Sequence, residues 1–393
     1  MSAYAIESPL RAPVADVFRE RFRHEPLEVF APGRINLIGE HTDYNEGYVL
    51  PGATQLGIHF AVALNGSRQI NLLARDLDAS ASFNVDQLAP SAQTPWANYL
   101  TGICAMLQQA GYEIPGFDCV FGGDLPSGAG MSSSAALECG LGLALDRLLD
   151  LRLPRLELAR LAQQAEHSFV GVKCGLMDQF ACLFGQEGHF VKLDCRTLQY
   201  EYFALNNPAY GLLVLDTQVK HSLAASEYNQ RRKEVEAGIR RLQQYYPEVV
   251  SLRDVTLEML REHREEFNPM IYKRCVYVVE ENQRVLDACE ALSQNDYARV
   301  GELMYLSHEG LEFDYEVSCK ELDMLAHAAR KDKRITGARM IGGGFGGSVL
   351  ALVPSEEAEA VALSLSDIYE SAFGTRPRSF LARLEGGTHV VEH

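Results

Sequence analysis

The chain has 393 residues, 47% hydrophobic and 23% charged, the make-up of an ordinary globular protein of two or three folded units; a disordered chain, a collagen and a coiled-coil rod are excluded. Lys and Arg number 36 against 53 Asp and Glu, a formal charge of −17. That balance disfavours non-specific binding to nucleic acid or to an anionic membrane.

No stretch of about 18 apolar residues occurs, so no spanning helix is expected, and residues 1–11 lack a signal-peptide pattern. The nine Cys are odd in number and irregularly spaced, without C-x-x-C. A disulfide framework or structural zinc site is not expected, and the compartment reads as cytoplasmic.

In chain order, Val14, Val17, Phe18 and Phe22 stand at helical spacing and predict an amphipathic helix within 12–23. Residues 28–31 read as a short strand running into Pro32-Gly33. Residues 56–64 and 69–74 read as strands joined by a hairpin turn at Asn65-Gly66. A helix is expected over 96–109 and a strand over 117–121. The strand feeds a Gly- and Ser-rich stretch, 122–134. Helices follow at 135–149 and 156–167, then strands at 190–194 and 211–216. Helical periodicity covers 226–245, 255–267, 270–293, 297–307, 320–331 and 356–373, with Arg231, Arg232 and Lys233 expected on a solvated face. A glycine run, 342–347, is preceded by a helix-like segment and a turn. It leads into a strand at 348–353, and a last strand is expected near 379–384. Strands and helices mix without a βαβ rhythm, which predicts an α+β fold. The turn Asn206-Asn207-Pro208 suggests two units, 1–205 and 206–393.

Three clusters carry chemistry. In GGDLPSGAGMSSS, glycines let backbone N–H groups converge, and the helix that follows adds its positive end. Gly128, Ala129, Gly130, Met131, Ser132, Ser133 and Ser134 can therefore cradle phosphates, although the stretch lacks the Walker pattern. It also reads as a flexible loop with a Ser N-cap. In APGRINLIGEHTD, Arg34, Glu40, His41 and Asp43 can line a polar pocket for a polyhydroxylated ligand. A metal site through Glu40, His41 and Asp43 is the rival. GGGFGG formally contains G-x-G-x-x-G, but a strand follows where a dinucleotide fold needs a helix, so a tight turn suits it better. Asp178, in CGLMDQF, is either a hydrogen-bonded structural acid or a catalytic carboxylate in a partly dry site.

These residues also resemble a family. APGRINLIGEHTDYNEGYVLP is similar to the galactokinase signature of the GHMP small-molecule kinases. GAGMSSSAAL resembles that family's phosphate loop, GARMIGGGFGGSVLALV its third motif, and GVKCGLMDQF the segment with its catalytic aspartate. The resemblance implies a bilobal α+β fold with the active site between two domains. It also implies transfer of phosphate from MgATP to the C1 hydroxyl of α-D-galactose. By the same resemblance Asp178 is the base or orienting anion and Arg34 its partner. Glu40, His41, Thr42, Asp43 and Tyr228 bind sugar, residues 128–134 hold ATP phosphates, and Ser134 and Glu166 hold Mg²⁺. Trp96 and Tyr99 match a pattern near the adenine. Three departures stand out: Met131 for Leu, Ser348 for Cys, and Ile341 for a Thr whose hydroxyl is thereby lost. The expected partners are the sugar and MgATP, with no nucleic acid or membrane, in a monomer or weak oligomer. A kinase for N-acetylgalactosamine or L-arabinose, or a sugar sensor without turnover, are the alternatives.

Overall fold

The protein is described by a computed structural model covering residues 13–126, 128–219 and 224–392. The readings of residues 1–11 and of Ser127 fall outside it. The first half supplies strands β1 (Leu27–Asn36), β2 (Tyr48–Val49), β3 (Pro51–Leu64), β4 (Gln69–Ala74), β5 (Ala79–Asn84), β6 (Phe117–Gly123), β7 (His189–Asp194) and β8 (Tyr200–Ala204). The second half adds β9 (Tyr210–Asp216), β10 (Gly337–Ile341), β11 (Ser348–Pro354), β12 (Arg378–Ala382) and β13 (His389–Val390). The helices are α1 (Val14–Phe22), α2 (Asn98–Gln109), α3 (Ser133–Leu148), α4 (Arg155–Ala165), α5 (Met177–Phe184), α6 (Ala224–Leu242), α7 (Leu257–Glu262), α8 (Pro269–Ser293), α9 (Tyr297–Glu309), α10 (Lys320–Lys331) and α11 (Ala358–Phe373).

The strands form a six-stranded sheet, β13-β1-β3-β6-β4-β5, a four-stranded sheet, β10-β11-β9-β12, and a three-stranded sheet, β2-β7-β8. Among the described residues only β4 and β6 pair in parallel, so the α+β expectation holds. Leu141, Leu145 and Phe180 bury α3 and α5 against the six-stranded sheet, and Leu100, Ile103 and Leu158 pack α2 and α4 in the same core onto those helices. Helix α1 packs Phe18 against Ala61 and Val120. A second core lies between the four-stranded sheet and helices α6–α8, α10 and α11. A third core joins the halves, setting Ile35, Leu37 and Met131 beside Val285, Leu303 and Ile341. The segment after Arg34, the loop 128–134 and the strand before the glycine run meet on this shared layer.

Four expectations need correction. Asn65-Gly66 is not a hairpin turn, because β6 lies between β3 and β4. Asn65 instead spends its side-chain amide on Asp118 and the Gln69 carbonyl. Strand β1 does not stop at Pro32-Gly33. It continues to Asn36 with a shift of register, Pro32 pairing with Gly57 and Arg34 with Ala53. Such irregularities re-aim a side chain, and here the Arg34 N–H leaves the ladder for the Met131 carbonyl at 3.1 Å. A strand, β10, precedes the glycine run, so 342–347 is a β10–β11 hairpin; the small residues of GARMI hid its β character. Of Arg231, Arg232 and Lys233, only Lys233 is exposed. Arg231 is buried and donates to the carbonyls of Tyr315 and Glu316, and Arg232 donates to the Lys173 carbonyl.

Phe18 is fully buried under the sheet. Phe18→Ala is expected to cost about 3–5 kcal/mol of stability, read from urea unfolding; a loss below about 1 kcal/mol would mean that α1 is not part of the core.

Candidate active site

Arg34 is almost fully buried, at 3% exposure. Its Nε and a terminal nitrogen both reach Asp178 Oδ1 at 2.8 Å. The other terminal nitrogen donates to the Gly130 carbonyl. Burial by itself would lower the guanidinium's affinity for its proton, but the charges of Asp178 and Glu40 outweigh it and raise the pKa. Asp178 sits in the first turn of α5, and its second oxygen accepts the Ser132 hydroxyl at 2.5 Å. Ser132, expected on the phosphate side, thus belongs at least as much to the carboxylate. It takes φ 59° immediately before α3, a left-handed conformation that aims its hydroxyl across the helix end.

The phosphate loop and the third motif touch backbone to backbone. Gly130 (φ 72°) and Gly342 (φ 81°) face each other. A Cβ on Gly130 would meet the Ile341 carbonyl at 2.7 Å, and one on Gly342 would meet the Gly130 carbonyl at 2.8 Å. Only glycine combines that φ with that approach. The Ser348 hydroxyl donates to the Ala129 carbonyl at 2.7 Å, so this residue ties the same two segments. Ile341 is wholly buried in the shared core, where its side chain packs. Ser133 opens α3, and Ser134, in its first turn, acts to lower the pKa of Glu166.

The sugar motif is held from beneath. Glu40 Oε1 accepts the Gly342 N–H at 2.8 Å and faces Arg339 at 3.6 Å. Burial raises its pKa, against the pull of Arg339 and Arg34. Thr42 is fully buried, and its hydroxyl serves the carbonyls of Gly39 and Tyr48. It shapes the turn that presents Asp43. His41, at φ 62°, has burial to thank for a pKa lowered to about 3, so its ring is neutral. Its Nε2 faces the Gly343 carbonyl at 3.2 Å and must carry the proton. Its Nδ1 then accepts from the Tyr44 hydroxyl at 2.9 Å, and Tyr44 in turn accepts from Tyr315 at 2.7 Å. The Tyr228 ring packs 5.2 Å from that of His41 and 5.4 Å from that of Tyr44.

Glu166 begins a π-helical turn, Glu166–Val170, at the end of α4. Burial first and Asp178 second push it up to about 7. Glu138, on α3, is fully buried and raised well above the carboxylate range by burial and then by Glu166. Trp96 packs on Phe121 at 5.8 Å. Burial, then the charges of Glu166 and Glu138, raise the Tyr99 pKa. Sequence reasoning missed Gln179, Glu138, Tyr44, Tyr315 and Arg339; all except Tyr315 lie inside or next to a recognised motif, so position was the available signal. The metal rival at Glu40, His41 and Asp43 loses its support, since both His41 nitrogens and a Glu40 oxygen are already taken. Elsewhere, His308, Glu312 and His327 bring ligand-type atoms within 4.8 Å of one another. His308 Nδ1 accepts the Met340 N–H at 3.2 Å, so the neutral ring carries its proton on Nε2, the atom facing the cluster, and that tautomer does not ligate a metal there.

Comparisons with known proteins follow this layout. The models of the GHMP kinase N-terminal and C-terminal domains match residues 98–186 and 260–371. A mevalonate kinase of Methanococcus jannaschii shares the fold, with TM-score 0.63 at 18% identity over 93% of this chain and 100% of that one. The class is therefore that of the GHMP kinases, enzymes that use ATP. The model of the galactokinase galactose-binding signature matches residues 16–64. A galactokinase of Roseiflexus sp. is 40% identical over 378 residues, 95% of this chain and 96% of the relative. The structure of Lactococcus lactis galactokinase complexed with galactose superposes with TM-score 0.92 at 35% identity, covering 96% of this chain and 98% of that one. The chain belongs to the galactokinase family. Among the described residues no helix is long and apolar enough to cross a membrane.

Asp43 is pushed up to about 7 from 3.8, by burial and then by the charge of Asp178. A carboxyl raised on folding contributes stability that is complete below its unfolded value and is lost as pH rises through its folded one. Asp43→Asn should therefore flatten part of the fall in ligand-free stability between pH 3.8 and about 7. Urea midpoints across that range check this, and an unaltered slope would contradict it.

Proposed function

We propose that this chain transfers the γ-phosphoryl group of ATP to the C1 hydroxyl of α-D-galactose, giving galactose 1-phosphate and ADP, the entry step of galactose metabolism. The observation that carries the reading is the Arg34–Asp178–Ser132 constellation, braced against the loop 128–134. Phosphoryl transfer through a loose transition state asks for positioning and charge neutralisation more than for a strong base. Asp178 accepts the C1 hydroxyl's hydrogen bond and so orients its oxygen toward the phosphoryl group. Arg34 stabilises charge on that oxygen as it develops. Glu40 through its second oxygen, Asp43 and Tyr228 bind the remaining sugar hydroxyls, while His41, whose two nitrogens serve Tyr44 and Gly343, and Thr42 set the turn that presents them. Gly128, Ala129, Gly130, Met131, Ser132, Ser133 and Ser134 hold the ATP phosphates at the N-terminus of α3, and Trp96 lies on the nucleotide side.

Ser134 and Glu166 would hold Mg²⁺. Their fit rests on oxygen donors and on a buried carboxylate whose pKa Asp178 helps to raise, an excess of negative charge that a hard divalent cation relieves. When bound, the ion supplies charge neutralisation for the phosphates. In this reading residues 1–205 form the sugar and phosphate half and residues 206–393 the half with the third motif, with β13 returning to pair with β1.

ADP release by purified protein with MgATP tests the proposal across D-galactose, N-acetylgalactosamine, L-arabinose, D-glucose and mevalonate. Galactose should dominate, with sugar 1-phosphate seen by phosphorus NMR; galactose binding without turnover on any sugar would favour a sensor. Asp178→Asn is expected to lower kcat by about 10²–10⁴-fold while galactose and ATP still bind. Near-parental turnover would remove Asp178 from its role.

A further inference from the structure

Behind the reacting end of the site lies a buried amide that the reaction as described leaves unused. Gln179 follows Asp178 on α5, and both it and Glu138 are 0% exposed. Gln179 Nε2 donates to Glu166 Oε2 at 3.0 Å and to Glu138 Oε2 at 3.2 Å. Facing two carboxylate oxygens, the amide has one sensible orientation, with one N–H given to each. Gln179 Oε1 and Glu138 Oε1 find no partner among the described residues. Leaving a buried polar atom unpaired costs about 1–3 kcal/mol, so the arrangement is kept against a cost.

What it secures is the direction of Glu166. That residue stands on a π-helical turn, and its carboxylate accepts the Gln179 N–H at 3.0 Å, while the nearby Cys174 and Ser134 side chains act against the rise of its pKa. A thiol is a weak donor, and Ser134 shares the metal assignment. Of the three, Gln179 is the one at hydrogen-bond distance from Glu166.

We propose that Gln179 is a positioning residue for the metal-holding carboxylate: anchored by Glu138, it keeps Glu166 turned toward Ser134. Because it adjoins Asp178 on one helical turn, it also couples the placement of the metal-side and sugar-side carboxylates. The inference rests on the assignment of Ser134 and Glu166 to Mg²⁺.

The probe is Mn²⁺, titrated into the protein with ADP and followed by electron paramagnetic resonance, with galactose affinity measured separately by calorimetry. Partners that orient a metal ligand typically matter 10–100-fold in affinity, so Gln179→Met should weaken Mn²⁺ binding by about that factor and shift galactose affinity less than about twofold. Parental Mn²⁺ affinity in the folded variant overturns the proposal. So does an equal loss for both ligands, the mark of general loosening. If Gln179→Met fails to fold, Glu138 carries the test. Glu138→Gln keeps an oxygen for the Gln179 N–H and should bind Mn²⁺ more tightly than Glu138→Met, which does not; equal affinities overturn the role. Glu166→Gln separates the two levels. If it leaves Mn²⁺ affinity unchanged, the metal assignment itself has failed and the inference falls with it. If it abolishes binding while Gln179→Met leaves affinity intact, only the positioning role is lost.

Discussion

Arg34 is 3% exposed, and a charge so deeply placed must be paired and hydrogen-bonded or it costs several kcal/mol. It answers that demand with two N–H groups on Asp178 and one on the Gly130 carbonyl, while its backbone N–H goes to Met131. The partners come from two segments, α5 and the phosphate loop, and Arg34 itself stands on β1. Satisfying one buried cation therefore fixes the distance between the Asp178 carboxylate and the loop 128–134, which we propose meet the sugar and the nucleotide. The register shift between Pro32 and Arg34 is the local condition for this, since an uninterrupted ladder would keep the Arg34 N–H for β3.

A second set of constraints closes the site from the other half of the chain. Gly342 gives its N–H to Glu40, Gly343 accepts from His41, and Gly342 crosses Gly130 at backbone contact. The neutral His41 ring makes this directional. Tyr315 donates to Tyr44 and Tyr44 to His41, which donates to Gly343. Tyr315 follows a π-helical turn, Gly310–Asp314, just as Glu166 opens another. Arg231 holds the Tyr315 carbonyl in place. Burial of these groups lowers the local dielectric, which strengthens every pairing and makes each unpaired atom expensive.

The motifs were legible because their chemistry is local. Arg34, Asp178 and the loop 128–134 stood out from glycine spacing, hydroxyls and acids within short windows, the resemblance to the GHMP kinases implied their roles, and helices such as α3 and α8 were legible from periodicity. What the sequence hid was non-local. Asn65-Gly66 looks like a hairpin turn from its neighbours alone, and nothing nearby reveals that β6, some fifty residues later, separates β3 from β4. Strand β5, ASASFN, is an edge strand of small and polar residues and carries little apolar signal. Arg231 reads as solvated because charge is ordinarily exposed, yet it is buried against two carbonyls brought by another helix pair. Nothing near Ser132 in the chain reveals that its left-handed backbone also turns its hydroxyl to Asp178.

The account's central claim is that the planar fork of Arg34, not merely its charge, joins the carboxylate to the loop. Turnover of Arg34→Lys at saturating galactose and MgATP, beside its galactose affinity, tests this most directly. Lysine keeps the charge but cannot serve Asp178 and Gly130 together in the same geometry. The account predicts a fall in kcat of about 10²–10³-fold, the scale of a lost transition-state donor, with galactose still bound. Parental kcat in Arg34→Lys would contradict it.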